Sequence, residues 1–252
     1  MSEAEIPAPA APAAGAPKPN PFQRIIGVLI SPAETFESIA RRPDWVVALL
    51  IIMLVSIAAG VLIASRVDFS ALGREAVEMN PRSSEMSPDQ LETGARFAGA
   101  MMRVSAYASP ILSVITLLIV AGVLLLTFRL MAGEGDFRQA FSVTTYAWYP
   151  RLIKSILGTG VILSRKSLSI FDLQSPLMSN LGFLFDPKTK PLQFAIASSI
   201  DVFHLWSLVL LVVGFAAISR LSRGKSAAIV VGWWIVINLL SLIGPAIQAL
   251  RR

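Results

Sequence analysis

The chain has 252 residues, 54% hydrophobic and only 15% charged, with a mean hydropathy of +0.66. Ordinary soluble domains carry about 25% charged residues, so this balance excludes a soluble enzyme, a disordered tail protein and a disulfide-stapled module and leaves a multi-pass membrane protein. With no cysteine there are no disulfides, thiolate nucleophiles or iron–sulfur clusters, and a net charge of +6 with no Lys/Arg run beyond two fits anionic lipid headgroups, not nucleic acid.

In chain order, residues 1–21 are rich in Ala and Pro and nearly devoid of large apolar side chains, which predicts a disordered tail. Its acidic start and the lack of an apolar run argue against a signal peptide. From Phe22, the spacing of Ile25, Ile26 and Leu29 predicts one face of a short helix. Ser31-Pro32-Ala33-Glu34 then reads as a capping box that starts a second helix running to about Arg41, with Phe36, Ile39 and Ala40 on one side. Neither piece is long enough to span, so an amphipathic pair lying in the membrane interface is expected.

The first span is Trp45 to Ala64, 20 uncharged residues, which at 1.5 Å per residue cover about 30 Å. Ser56, Gly60 and Ala64 form a small-residue stripe along it, suited to close helix approach. Residues 65–103 read as a polar loop until Ser87-Pro88-Asp89-Gln90, where a helix begins and runs unbroken into the second span, Ala106 to Phe128. Pro110 lies near the start of that span, where a kink is tolerable.

A tight turn, Gly133-Glu134-Gly135-Asp136, leads into the third span, Ala140 to Ser164. Arg151 and Lys154 sit near its middle, three apart and therefore on one face. A cation at that depth costs several kcal/mol unless it meets water or a partner. The span is thus expected either to face the bundle interior or to bend at Pro150 with one wet side. Residues 165–199 alternate turn formers with Leu177, Met178, Leu181, Phe183, Leu184 and Phe185, which predicts a loop packed on the membrane surface or dipping into it. The fourth span is Val202 to Ser219 and the fifth Ala227 to Leu250, joined by the basic loop 220–225. Five crossings place the termini on opposite sides. That loop and Arg24, Arg41 and Arg42 favour a cytoplasmic N-terminus; the outer segments hold more cations, but they lie in longer loops and the first is offset by acids.

Few motifs carry chemistry. Gly224-Lys225-Ser226 resembles the end of a phosphate-binding loop, but position 219 is serine and a span precedes it where a strand is needed. Gly133-Glu134-Gly135 and Gly158-Thr159-Gly160 lack the third glycine of a dinucleotide fingerprint. No serine-hydrolase, aspartyl-protease or zinc-protease constellation is present, so no catalytic, cofactor or metal residue is assigned. The polar residues that stand out are Arg151, Lys154, Asp201 and His204. The last two are also three apart, at the start of the fourth span. The two faces could pair, Arg151 or Lys154 with Asp201 or His204; the preferred reading is that such a contact only fixes helix register and that Asp201 caps the fourth span at the interface.

Three stretches carry a resemblance. Ser31-Pro32-Ala33-Glu34-Thr35-Phe36 before the first span is one. Gly135-Asp136-Phe137-Arg138-Gln139-Ala140-Phe141-Ser142, followed by Tyr146-Ala147 and Pro150, is the second. Asp201-Val202-Phe203-His204-Leu205-Trp206-Ser207-Leu208 is the third. In this order they are similar to the bacterial branch of the Yip-domain family, over about residues 22 to 250. The resemblance implies a five-helix membrane domain with a cytoplasmic N-terminus. Eukaryotic members are linked to vesicle traffic and prenylated Rab GTPases, but their D-L-Y-G-P signature has only a partial echo in Asp172-Leu173-Gln174-Ser175-Pro176, and bacterial members offer no catalytic residues to transfer.

The expectation is therefore an all-α, polytopic protein with five transmembrane helices and an N-terminal amphipathic segment, seated in a bacterial inner membrane. It is expected to be non-enzymatic and without cofactor, and to organise membrane through helix and lipid contacts. Its candidate partners are the bilayer, anionic lipid, further copies of itself or other membrane proteins. The alternative is a small-anion transporter or oligomeric channel built on Arg151 and Lys154.

Overall fold

The structure, a computed structural model, describes residues 20–250 apart from 81 and 188, so the tail expected over 1–21 lies almost wholly outside the described residues. The first helix, α1 (Pro21–Ile30), is capped by Asn20, whose side chain accepts the Phe22 N–H at 3.0 Å. It folds back on α2 (Pro32–Arg41). The capping box expected at Ser31 does not form. Ser31 closes α1 as well as opening α2: its N–H goes to Gly27 O, its carbonyl takes the Thr35 N–H and hydroxyl, and its own hydroxyl caps nothing. The faces also differ from expectation. On α1 Arg24 and Val28 are buried, whereas Phe22, Ile26 and Ile30 point outward. On α2, Phe36 and Ile39 are fully buried in the main core.

The first span is α3 (Val46–Arg66). Gly60 crosses the next long helix so closely that a Cβ there would collide with the Ala106 carbonyl, as a small-residue stripe requires. That partner, α5 (Pro88–Leu130), has 43 residues and the expected capping box between Ser87 and Gln90. At 1.5 Å per residue it is about 65 Å long, roughly twice the hydrocarbon thickness. At Pro110 the carbonyl deprived of its helical N–H is Ala106 O, and the Ser109 hydroxyl donates to it at 2.9 Å, the repair that makes an intramembrane proline tolerable.

The stretch read as a polar loop is half helix. Between α3 and α5, α4 (Phe69–Glu78) lies antiparallel along the first turns of α5, with Asp68 as its N-cap. Gly73 and Gly99 let the two backbones touch: a side chain at either would strike a main-chain carbonyl of the other helix.

A turn with Gly135 at φ 108 leads to α6 (Phe137–Ala147), opened by a capping box between Asp136 and Gln139. Pro150 cannot donate to Tyr146 O, so the helix breaks at Trp148 and resumes as α7 (Tyr149–Ser164). Residues 140–147 are all buried, and the hydroxyls of Ser142, Thr144 and Thr145 donate back to carbonyls four residues earlier at 2.7–2.8 Å. Of the two expectations for this span, interior placement with a bend near Pro150 is what the structure shows.

Residues 165–200 also hold short helices where a loop was expected: α8 (Ile170–Gln174), a 3-10 turn (Leu181–Leu184) and α9 (Pro191–Ser199). The next span, α10 (Val202–Ser219), has the expected bounds. The last begins earlier than expected, because Ser222 caps α11 (Arg223–Ser241), and it breaks at Leu242 ahead of α12 (Ile243–Leu250), which carries Pro245. Among the described residues four helices are long and apolar enough to cross a membrane, and the α6–α7 tandem lies where the third of the five expected spans was placed. The only strand-like pairing among the described residues is a lone bridge, Asn180 to Asp201. At one end lie α1–α2 and the turns after α5 and α10, joined by Glu134 N to Ser219 O at 3.0 Å. At the other lie α4, residues 165–200 and α12, with Glu75 accepting the Ile170 N–H at 3.0 Å.

Candidate functional site

The breaks at Trp148 and Ile200 bring α7 and α10 together as a polar seam within the bundle. Facing residues three apart on each helix meet across it. The Lys154 ammonium donates to Asp201 Oδ2 at 2.8 Å, with the Asp201 side chain 4% exposed and that of Lys154 29%. The same oxygen accepts the Ser179 hydroxyl at 2.5 Å, while Oδ1 accepts the N–H groups of Phe203 and His204, both at 3.1 Å. Pairing and capping, weighed as alternatives from the sequence, thus coexist on two oxygens of one carboxylate.

One turn away, the Arg151 guanidinium stands 2.7 Å from His204 Nε2 and 3.1 Å from Nδ1, and lies over the Trp148 ring at 4.3 Å. Arginine only donates, so the imidazole nitrogen accepts, and the indole face adds a cation–π attraction that gains from desolvation. The His204 ring in turn meets Trp234 of α11 edge-on, with centroids 6.4 Å apart. All four residues expected to cluster, Arg151, Lys154, Asp201 and His204, are therefore in direct contact in two pairs. Three buried donors around them have no partner among the described residues: Arg151 Nε, Ser207 Oγ and Trp234 Nε1.

Sequence reading missed several participants. Ser179 lies in a turn 22 positions from Asp201 and nothing local marks it. A second polar centre, at the α1–α2 end, was also missed. There Arg24, 4% exposed, donates to Ser38 O at 3.2 Å, Arg42 O at 2.9 Å and Asp44 Oδ2 at 3.0 Å, capping the carbonyl end of α2. Asp44 Oδ1 accepts the Tyr146 hydroxyl at 3.1 Å. Gln139 completes the clasp by donating to Ala40 O at 2.8 Å. In sequence Arg24 reads only as a topogenic cation; its one cue is its place on the inward face of α1 beside Val28.

The cations are held by carboxylate, imidazole and carbonyl groups, and no cluster of three or more His, Asp or Glu suited to a metal exists among the described residues. Gly224, Lys225 and Ser226 lie in the first turn of α11, and the Ser226 hydroxyl is used on Val212 O at 2.7 Å.

The family model for the Yip1 domain matches residues 26–244. Membrane protein YknW of Bacillus subtilis (strain 168) is 25% identical over 223 residues, covering 86% of this chain and 89% of its own length. No solved structure matches significantly.

Proposed function

The chain belongs to the Yip1 domain family of multi-pass membrane proteins, and from that premise we propose that it is a non-enzymatic organiser of membrane, working through helix and lipid contacts. It sits in the inner membrane with its N-terminus in the cytoplasm, where the basic 220–225 turn and Arg41 and Arg42 share one end. The observation that carries this reading is the α1–α2 hairpin. Arg24 and the buried Phe36 and Ile39 lock it to the bundle, and Gly214 leaves room for the Phe36 ring. Its outer stripe, Phe22, Ile26 and Ile30, is left uncovered. A free amphipathic helix exchanges with water; one clasped to five crossings holds its apolar stripe at a set depth in one leaflet and displaces lipid there.

The reading is tested by reconstituting purified full-length protein into vesicles of phosphatidylethanolamine and phosphatidylglycerol and imaging vesicle diameter by cryo-microscopy. Wild type should shift the population to smaller or tubular forms, and F22S/I26S/I30S should leave it like empty vesicles with unchanged thermal unfolding. Wild-type vesicles indistinguishable from empty ones sink the proposal. The anion-transport alternative rests on Arg151 and Lys154, whose charged groups are engaged by His204, Trp148 and Asp201, and nothing favours it.

A further inference from the structure

At the end of the bundle opposite the hairpin, the last turns of α3 and α7 stand beside the first turn of α4 and enclose a recess of about 570 Å³. Arg66, Arg165 and Lys166 line it against one carboxylate, Asp68. That carboxylate already accepts the amides of Ser70 and Ala71 at 2.9 and 3.1 Å, and Arg165 is held by Asp172. Arg66 and Lys166 are exposed, with no ion pair among the described residues.

Depth sets what these cations can meet. Arg66 ends the apolar helix α3 and Arg165 closes α7, so the recess lies where hydrocarbon gives way to headgroups. One turn deeper, α3 turns Val61 and Leu62 outward, a surface against which acyl chains can lie. Cations that only complemented the carbonyl ends of two helices would need no cavity. A polar recess of headgroup size, rich in unpaired positive charge at the bilayer surface, has the chemistry of a phosphate site.

We propose that this recess binds a phosphate-bearing anion at the membrane surface, with Arg66 and Lys166 as its principal contacts. It is remote from the hairpin, so it stands or falls independently of the leaflet wedge. Purified full-length protein in neutral detergent is given equimolar phosphatidylglycerol and phosphatidylcholine, and retained lipid is read by native mass spectrometry. The thermal midpoint is followed in parallel against inorganic phosphate. Wild type should retain phosphatidylglycerol preferentially, and the preference should fall about tenfold in R66Q/K166Q. It should persist in R66K/K166R and in R96Q, whose lost cation lies outside the recess. A midpoint raised by inorganic phosphate in wild type but not in R66Q/K166Q, without lipid preference, supports the site and assigns it a free anion. Equal retention of both lipids with no response to phosphate overturns the proposal. So does a preference that survives R66Q/K166Q, or that R96Q removes equally.

Discussion

At Asp201 one carboxylate serves four donors: two backbone amides on Oδ1, and a lysine and a serine hydroxyl on Oδ2. The two roles separate by substitution, because asparagine still caps a helix but carries no charge. Lys154→Met and Asp201→Asn should each lower the unfolding free energy by about 1–3 kcal/mol, since each strands a charged group away from bulk water. The double variant should cost less than the sum, with a coupling of about 1 kcal/mol or more. Thermal or denaturant unfolding in detergent measures all three, and strict additivity would mean that the 2.8 Å contact contributes nothing. The residues of this seam were legible because each pair repeats at a helical spacing and a cation inside a span demands a partner. Ser179, Trp234 and the Arg24–Asp44–Tyr146 clasp were not, because the chain separations, 102 positions for Tyr146 and Asp44, leave no local pattern to read.

Elements were legible where a cap and a long apolar run coincide, as at Ser87 and Val202, and were missed where both were short. Helix α4 had its signals: Asp68 as cap, then Phe69, Leu72, Gly73 and Ala76 on one face. Its charged outer face hid them. Ser31 shows the reverse error, a capping box in sequence that fails because one residue must both end α1 and begin α2. The α4–α5 contact depends on missing side chains, so Gly73→Val should drive the helices apart and cost about 1–3 kcal/mol of local stability. Trypsin cleavage at Arg74 should accelerate about tenfold, a free-energy change of about 1.4 kcal/mol. Gly122→Val, where no neighbour lies within 4 Å of a Cβ, is the tolerated control. Equal cleavage of the two variants would remove close backbone contact as the reason for these glycines.

For the whole molecule, the α4–α5 junction and the turn after α5 flank a single crossing, so they must face opposite sides. Because the chain has no cysteine, single replacements at the exposed Glu134 and Glu85 report topology without background. With the N-terminus in the cytoplasm, E85C should react with an impermeant maleimide on intact spheroplasts and E134C only after lysis. Labelling of both from one side would mean that α5 does not cross, and labelling with the sides exchanged would place the N-terminus outside.

Composition and hydropathy by themselves determined that this chain spans a membrane, that it is all-helical, and roughly where four spans and a fifth, polar one lie. These are local properties: a helix in hydrocarbon satisfies its own backbone, and its length follows the bilayer. Which span lies inside was decided only by the tertiary structure. The most apolar 18-residue stretches of Val202–Ser219 and Arg223–Ala246 have the same mean hydropathy, 2.2, yet 44% of one is buried within the protein and 6% of the other. Lipid and protein interior are equally apolar, so the hydrophobic pattern that marks a buried face in water is silent here. The close approach of glycines and the pairing of Lys154 with Asp201 and of Arg24 with Asp44 help select the arrangement.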